Sequence, residues 1–239
     1  MDSRSSQLDT AIVLPSLDPD SKFVRVVEGL LAKGFAHIVI VDDGSDEAHQ
    51  EPFRQAAAHP QCVVLHHEGN KGKGRALKTA FDYVLKELPE LAGVVTIDGD
   101  GQHLVDDIIA CGDRMLREDG KVVLGCRDFD APGVPSRSVA GNKTTSRMFR
   151  LVYGIRVSDT QTGLRAIPRE HLERMCRIEG ERFEYETNML LKMRRMGIEF
   201  VEQPIATVYD PEDYSSHYNA VKDSWRIAKV MIKDLIRRG

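Results

Sequence analysis

Two carboxylates at the end of an apolar run are the first residues in this sequence that could do chemistry. The run 93–97 passes into Asp98, Asp100 and Gln102, with a glycine between each of them. Because side chains alternate along an extended chain, Asp98 and Asp100 are expected to point to one side. Carboxylate and amide oxygens suit Mg²⁺ or Mn²⁺, and a cation would offset the repulsion between the carboxylates. An acidic surface turn is the alternative interpretation.

Two other polar loops follow apolar runs. Asp42 and Asp43 come directly after the run 37–41, where a carboxylate can accept hydrogen bonds from a nucleotide base or ribose. Lys71 and Lys73 lie in a glycine-rich loop before a predicted helix, and a helix N-terminus favours an anionic ligand. This loop departs from the Walker and dinucleotide-binding patterns, which argues against a kinase-type NTPase and against NAD. A solvated turn that displays its lysines is the alternative.

Arginines follow a fifth apolar run. Arg127 and Arg137 flank a loop that is rich in glycine and proline. A guanidinium group can bind phosphate through two hydrogen bonds at once, so we predict that this pair binds phosphate. Lys143, Arg147 and Arg150 come next, and we interpret these three as a solvated helix face.

Alternating strands and helices are predicted to position these residues. The apolar runs, which have no polar face, are predicted strands at 10–14, 37–41, 62–65, 93–97 and 121–125. Strands that are apolar on both faces indicate a parallel sheet covered by helices on both sides. Ligands bind such sheets at the carboxyl ends of the strands. We therefore expect an α/β fold in which the loops after strands two, three and four converge on one ligand.

The second half of the chain is less regular. Residues 127–141 are predicted to be a loop, and residues 198–209 an extended segment in which Pro204 indicates an edge strand. Helices are predicted at 143–153 and 184–196, and an amphipathic helix at 216–238. Because no linker or repeat is evident, we expect a single domain over residues 1–239.

Composition excludes several classes of protein. The chain has 239 residues, and its net charge of -4 gives no signature of nucleic-acid binding. Its four cysteines include no Cys-x-x-Cys pair, which is typical of reduced thiols in the cytoplasm. The N-terminus lacks the apolar core of a signal peptide, and no run approaches the ~18 apolar residues of a membrane span. We therefore expect a cytoplasmic protein whose membrane contact, if any, is made at its surface.

Four motifs occur in the order found in family 2 glycosyltransferases. They are Asp-Asp-Gly-Ser at 42–45, Asn-Lys-Gly-Lys-Gly at 70–74, Asp-Gly-Asp-Gly-Gln-His at 98–103 and Ser-Asp-Thr-Gln-Thr-Gly at 158–163. Over roughly residues 10–220 the chain resembles the dolichyl-phosphate mannose synthase and polyprenyl-phosphate glycosyltransferase group of that family. The resemblance implies a GT-A fold, that is, a mostly parallel central sheet with helices on both faces. It also implies a nucleotide-sugar donor and a divalent metal.

The resemblance implies roles for residues on the donor side. Asp42 and Asp43 match the pair that holds the base or ribose of the nucleotide. Asp98 matches a carboxylate near the ribose and the sugar. Asp100 and Gln102 match the ligands of the Mg²⁺ or Mn²⁺ ion and the diphosphate.

Basic residues are expected to assist at the diphosphate. Lys71 and Lys73 are candidates from the glycine-rich loop. The arginine that the family has near its C-terminal diphosphate loop is not evident here, and His217 or Lys222 is the candidate to replace it.

On the acceptor side, the resemblance implies that Arg127 and Arg137 face the acceptor phosphate and that Asp159 lies beside the sugar. One departure concerns the second arginine, because the family has a serine shortly after it where this chain has Gly141 and Asn142.

The activity that the resemblance implies is inverting transfer of mannose or glucose from a GDP- or UDP-hexose to a polyprenyl phosphate. A lipid phosphate is ionised at neutral pH and needs no strong base to attack the anomeric carbon. The alternative within the family is transfer to a hydroxyl group of a saccharide or protein, for which Asp159 would be the candidate base.

A lipid acceptor requires the enzyme to approach the cytoplasmic face of a membrane. The predicted helix 216–238 is basic and amphipathic, a pattern that suits an anionic membrane surface. We favour ordinary packing of this helix on the core, with peripheral membrane contact as the alternative. A separate membrane protein partner would serve the same purpose.

Overall fold

A seven-stranded sheet forms the centre of the protein. The computed structural model describes residues 5–131, 134 and 136–208. In sequence order the strands are β1 (Thr10–Ser16), β2 (Ile38–Asp42), β3 (Cys62–His66), β4 (Gly93–Thr96), β5 (Val122–Arg127), β6 (Arg165–Pro168) and β7 (Phe200–Ile205). Across the sheet they are ordered β3-β2-β1-β4-β6-β5-β7. Neighbouring strands are parallel, except that β6 runs antiparallel to both β4 and β5.

Helices connect the strands. They are α1 (Ser6–Asp9), α2 (Ser21–Ala32), α3 (Glu51–Ala57), α4 (Lys73–Glu87), α5 (Val105–Arg117), α6 (Ser136–Met148), α7 (Arg169–Cys176) and α8 (Glu184–Arg195). A 3-10 turn at Glu47–His49 precedes α3, and a π turn at Phe149–Tyr153 continues α6. α4 shows why these segments are helical, because Ala76, Ala80 and Val84 recur at a spacing of four residues and are all buried.

The five inner strands of the sheet are buried on both faces, as predicted for β1, β2, β4 and β5, whereas the edge strands β3 and β7 are only partly buried. Ala11 and Val13 of β1 belong to one hydrophobic cluster, whereas Ile12 and Leu14 belong to the other. Alternation of side chains along the strand puts these pairs on opposite faces. The predicted α/β architecture, with a mostly parallel sheet between helices, is confirmed.

One predicted boundary is wrong. Residues 127–141 are not all loop, because α6 already begins at Ser136. Its first turns contain serines, a β-branched valine and Gly141, which are weak helix formers. Contacts made by Asn142 with a distant turn stabilise this helix, and such contacts have no local signal. The prediction of an edge strand at Pro204 is confirmed, since β7 pairs only with β5 in the described part of the chain.

The predicted helix 216–238 lies outside the described residues. Within the described ranges, no helix combines the length and the apolar character that a membrane crossing requires.

Candidate active site

The candidate site lies at the edge of the sheet where the parallel strands end. Asp42 is the last residue of β2, Arg127 is the last residue of β5, and Asp98 follows β4. Because β6 is antiparallel to its neighbours, the turn that precedes it lies at the same edge and brings Asp159 there. The chain therefore collects residues from four separate segments at one end of the sheet.

The ammonium group of Lys73 lies between two carboxylates. Its Nζ atom is 2.7 Å from Asp98 Oδ1 and 3.1 Å from Glu186 Oε2. Burial alone would lower the pKa of Lys73, but the two negative charges raise it above its ordinary value. Burial would likewise raise the pKa of Asp98, but the Lys73 charge and the neighbouring His103 lower it. Both groups are therefore charged at neutral pH, and Lys73 is not the solvated lysine of the alternative interpretation.

Glu186 is a site residue that the sequence analysis missed. It is buried in α8 and supplies the second carboxylate for Lys73. A signal was present, because Glu186 occupies the apolar face of its helix together with Met189, Leu190 and Met193, all of which are buried. A single acid on the apolar face of an amphipathic helix indicates a buried ion pair.

His103 lies against the same cluster. Its side chain is 6% exposed, and its Nε2 atom is 3.7 Å from Asp98 Oδ2. Neither ring nitrogen has a hydrogen-bond partner among the described residues. The imidazole thus lies beside Asp98, and its proximity helps to lower the pKa of this carboxylate.

Asp100 and Gln102, the predicted metal ligands, lie at the open side of the cluster. Asp100 is exposed, and its Oδ1 atom accepts a hydrogen bond of 3.0 Å from the backbone N–H of Gln102. Desolvation by the surrounding protein and repulsion from the Asp98 charge raise the pKa of Asp100 above its ordinary value. A divalent cation would relieve this repulsion, and the carboxylate and amide oxygens are hard ligands. The donor set therefore fits Mg²⁺ or Mn²⁺.

Asp43 organises the glycine-rich loop from within. Its Oδ1 atom accepts hydrogen bonds from Lys71 N–H at 3.0 Å and from the His67 ring at 2.7 Å. Its Oδ2 atom accepts one from Gly72 N–H at 2.7 Å. The loop after β3 is thus held to the end of β2, while Lys73 holds it to Asp98. These contacts bring the three loops together as expected, and their convergence on one ligand stays a prediction.

Asp42 is also satisfied within the protein. Its Oδ1 atom accepts a hydrogen bond from Ser45 N–H at 2.8 Å. Its Oδ2 atom accepts hydrogen bonds from the Gln50 side chain and the His66 ring, each at 3.0 Å. Burial would raise the pKa of Asp42, but these hydrogen bonds lower it. The two aspartates hold the loops around them through hydrogen bonds, and their contact with a nucleotide base or ribose stays a prediction.

Arg127 and Asp159 form a double hydrogen-bonded ion pair. Arg127 Nε is 2.7 Å from Asp159 Oδ2, and Arg127 Nη2 is 3.2 Å from Asp159 Oδ1. Oδ1 also accepts a hydrogen bond of 3.1 Å from Gln161 N–H. Asp159 is fully buried, whereas the Arg127 side chain is 19% exposed. The Asp159 carboxylate thus positions the guanidinium group of Arg127, and the Arg127 side chain remains partly accessible to solvent.

The turn 158–163 joins this ion pair to the cluster of Lys73, Asp98 and Glu186, which is called the donor cluster below. Asn142 of α6 donates a hydrogen bond of 2.5 Å to Ser158 O and accepts one of 3.3 Å from Thr160 N–H. At the other end of the turn, a Cβ atom added to Gly163 would lie 2.2 Å from Asp98 Oδ2. Only a glycine leaves room for the carboxylate there.

Two predicted site residues cannot be placed in this geometry. The backbone of Arg137 belongs to α6, but its side chain is not among the described ones. His217 and Lys222 lie outside the described residues. Their roles at the phosphate groups stay predictions.

Curated relatives of the chain include two named enzymes. A UDP-N-acetylglucosamine–dolichyl-phosphate N-acetylglucosaminyltransferase of Methanococcus voltae is 27% identical over 217 residues, which are 83% of this chain and 85% of that protein. A polyprenol monophosphomannose synthase of Mycolicibacterium smegmatis is 27% identical over 176 residues, which are 71% of this chain and 65% of that protein.

Solved structures show the same fold at lower sequence identity. Glucosyl-3-phosphoglycerate synthase from Mycobacterium tuberculosis, crystallised with Mn²⁺, UDP and glucosyl-3-phosphoglycerate, has a TM-score of 0.68 at 17% identity. The match covers 96% of this chain and 79% of that chain. The expected GT-A fold is thereby confirmed. The family model described as glycosyl transferase family 2 matches residues 12–176. The chain therefore belongs to glycosyl transferase family 2.

Proposed function

We propose that this enzyme transfers a hexose, mannose or glucose, from a UDP- or GDP-linked donor to a polyprenyl phosphate, with inversion at the anomeric carbon. The Arg127–Asp159 ion pair carries the proposal. A hydroxyl acceptor needs a base to remove its proton. Asp159 is poorly suited to be that base, because each of its oxygens already accepts a hydrogen bond from the Arg127 side chain and Oδ1 accepts another from Gln161 N–H. A lipid phosphate arrives ionised and needs a cation instead. Arg127 supplies that cation at the carboxyl end of β5.

The names of the relatives support a lipid phosphate acceptor. The Methanococcus voltae protein is named for transfer to dolichyl phosphate, and the Mycolicibacterium smegmatis protein for synthesis of polyprenol monophosphomannose. Both names describe a sugar on a polyprenyl phosphate. The proposal extends that chemistry to this chain.

The donor cluster is suited to a nucleoside diphosphate and a divalent cation. Asp100 and Gln102 would hold Mg²⁺ or Mn²⁺, and the ion when bound offsets the charge that develops on the departing diphosphate. Mg²⁺ is commonly bound by one or two carboxylates together with substrate phosphates. The diphosphate of the donor would therefore supply further oxygen ligands to the ion. Lys73 keeps Asp98 ionised and in place, and the exposed Lys71 lies two residues before it in the same glycine-rich loop.

The lipid acceptor implies a location. We infer that the enzyme works as a peripheral protein at the cytoplasmic face of a membrane, where polyprenyl phosphates present their headgroups. A separate membrane protein partner is the alternative route to the same face.

Calorimetric titration of UDP and GDP, with and without Mn²⁺, tests the donor side of the proposal. We expect one nucleotide to bind more tightly when Mn²⁺ is present and Asp100→Ala to abolish that gain. Asp119→Ala, at an exposed aspartate outside the site, should leave the gain unchanged. Equal binding with and without the metal, or a normal gain in Asp100→Ala, would contradict the assignment of Asp100.

A further inference from the structure

One helical surface beside the site is basic. Residues 131–158 contain five arginine or lysine residues and no aspartate or glutamate, although the whole chain has a net charge of -4. α6 and the π turn at Phe149–Tyr153 make up most of this segment. A local excess of positive charge on an acidic protein indicates a negatively charged partner.

The same surface exposes large apolar side chains. Leu151 is 84% exposed and Met148 is 39% exposed. Among the described residues, the other exposed large hydrophobic side chains are those of Leu8 and Leu104. Met148 is the last residue of α6, and Leu151 lies three residues further along in the π turn, which is less than one helical turn away. Two exposed apolar side chains therefore lie close together in the chain on this segment.

Exposed cations lie next to these two residues in the chain. Arg147 and Arg150 are exposed, and neither has an ion-pair partner within the described ranges. By contrast, Lys143 is 2.6 Å from Asp130 Oδ1, so part of its charge is offset. Phe149 and Tyr153 are buried and anchor the opposite side of this helical segment to the core. These two buried side chains hold the backbone that exposes Arg147, Met148, Arg150 and Leu151 to solvent.

The surface is connected directly to the acceptor side of the site. Asn142 lies on the buried side of α6 and donates a hydrogen bond to Ser158 O. Ser158 precedes Asp159, which holds Arg127. One helix thus presents the basic apolar surface to solvent and supports the residues at which a lipid phosphate would arrive.

We propose that the outer surface of α6 and the π turn, centred on Arg147, Met148, Arg150 and Leu151, binds the headgroup region of an anionic lipid bilayer. The inference rests on the proposed lipid acceptor. Leucine and methionine enter the boundary between headgroups and acyl chains, and the arginines pair with lipid phosphates. Bound in this way, the enzyme holds Arg127 at the level where the acceptor phosphate lies.

Other occupants fit the charge less well. The segment 216–238 contains six cations and two carboxylates, so it carries the same sign as this surface. A second copy of the chain would bring another basic patch against the first. A bilayer that contains anionic lipids offers the opposite charge together with an apolar layer.

Sedimentation of the full-length protein with phosphatidylcholine vesicles, with and without phosphatidylserine, tests the proposal. We expect binding only to the anionic vesicles, and weaker binding at high salt. Leu151→Glu and the double variant Arg147→Glu/Arg150→Glu should each lower the partition coefficient at least about tenfold. Leu8→Glu, a matched change at a residue that is 62% exposed, should bind like the parent protein.

Three results would overturn the proposal. They are absence of binding by the parent protein, equal binding by Leu151→Glu and Leu8→Glu, and loss of binding only in Trp225→Glu, a change within the segment 216–238. The vesicles contain no acceptor and no donor, so failure here is distinct from failure of the proposed transfer reaction. Unchanged thermal unfolding and UDP or GDP binding of each variant establish that it is folded.

Discussion

At the scale of single residues, the site is built from charges that are paired within the protein. Lys73 bridges Asp98 and Glu186, and Arg127 binds Asp159 through two hydrogen bonds. Such pairs offset the cost of burying charge and hold the side chains in one arrangement. A donor or an acceptor therefore meets groups whose positions and charges are already set.

Removal of the Lys73 charge should leave two carboxylates facing each other. We expect Lys73→Met to lower the free energy of unfolding by about 3 kcal/mol at neutral pH, because the carboxylates lose their shared cation. Lys71→Met, at an exposed lysine two residues away, should change it by less than about 0.5 kcal/mol. Urea denaturation of both variants provides the measurement.

The pH dependence of the Lys73→Met effect has a definite sign. In the parent protein the pKa of Asp98 is lowered, so its ionised form stabilises the fold above the unfolded pKa and that contribution is lost as the pH falls. Without Lys73, burial and repulsion from the Glu186 carboxylate raise the pKa of Asp98, so stability is lost as the pH rises. The difference between parent and variant should thus be larger at about pH 8 than at about pH 5. A difference independent of pH would contradict the bridging role of Lys73.

Gly163 provides a steric test of the position of Asp98. A methyl group at residue 163 would lie 2.2 Å from Asp98 Oδ2 and must displace the carboxylate. We expect Gly163→Ala to lower kcat/KM for hexose transfer by about 10²-fold, as for a small displacement of a reacting group. Gly141→Ala is the matched control, since no atom lies within 4 Å of the added group. If both variants transferred at the parent rate, Asp98 would not be part of the machinery.

At the scale of elements, α6 is the connection between the acceptor side and the rest of the fold. Asn142 is buried and bonds to both Ser158 and Thr160, which fixes the turn that carries Asp159. The Glu202 side chain of β7 accepts hydrogen bonds from Ser158 N–H at 2.5 Å and Oγ at 3.0 Å. The position of Asp159 therefore depends on two elements that are distant in sequence.

Loss of the Asn142 side chain should loosen that turn. We expect Asn142→Ala to lower the free energy of unfolding by about 1–3 kcal/mol, because the turn loses its hydrogen bonds to a buried side chain. Thr144→Ala, an exposed change on the same helix, should have less than about half of that effect. Thermal unfolding of the two variants would show the difference, and equal midpoints would contradict the anchoring role of Asn142.

The elements and the site differ in how far the sequence predicts them. Apolar strands such as Ala11–Leu14 are visible as local patterns, and so are the acidic and glycine-rich loops at their ends. The pairing of Arg127 with Asp159 joins residues 32 positions apart, and no local pattern encodes it. The inward hydrogen bonds of Asp42 and Asp43 are hidden for the same reason. Glu186 is predictable as a buried acid, because it lies on the apolar face of α8. Its partner Lys73 is not predictable from that local pattern.

At the scale of the whole molecule, the candidate site lies at one edge of the sheet, and the turn 158–163 contacts both Asp98 and Arg127. In the proposed function, the donor binds around Asp98 and the acceptor phosphate at Arg127. α6 is hydrogen-bonded to this turn through Asn142, and its outer surface is the proposed membrane contact. This arrangement suits an enzyme that takes its donor from water and its acceptor from a membrane.

A transfer assay with two matched acceptors distinguishes a lipid phosphate acceptor from a hydroxyl acceptor. Each nucleotide sugar is offered together with a short polyprenyl phosphate or with the corresponding polyprenol, which has a hydroxyl group in place of the phosphate. We predict transfer to the phosphate alone, with the anomeric configuration of the product inverted relative to the donor. Transfer to the polyprenol at a comparable rate, or a product that retains the donor configuration, would contradict the account.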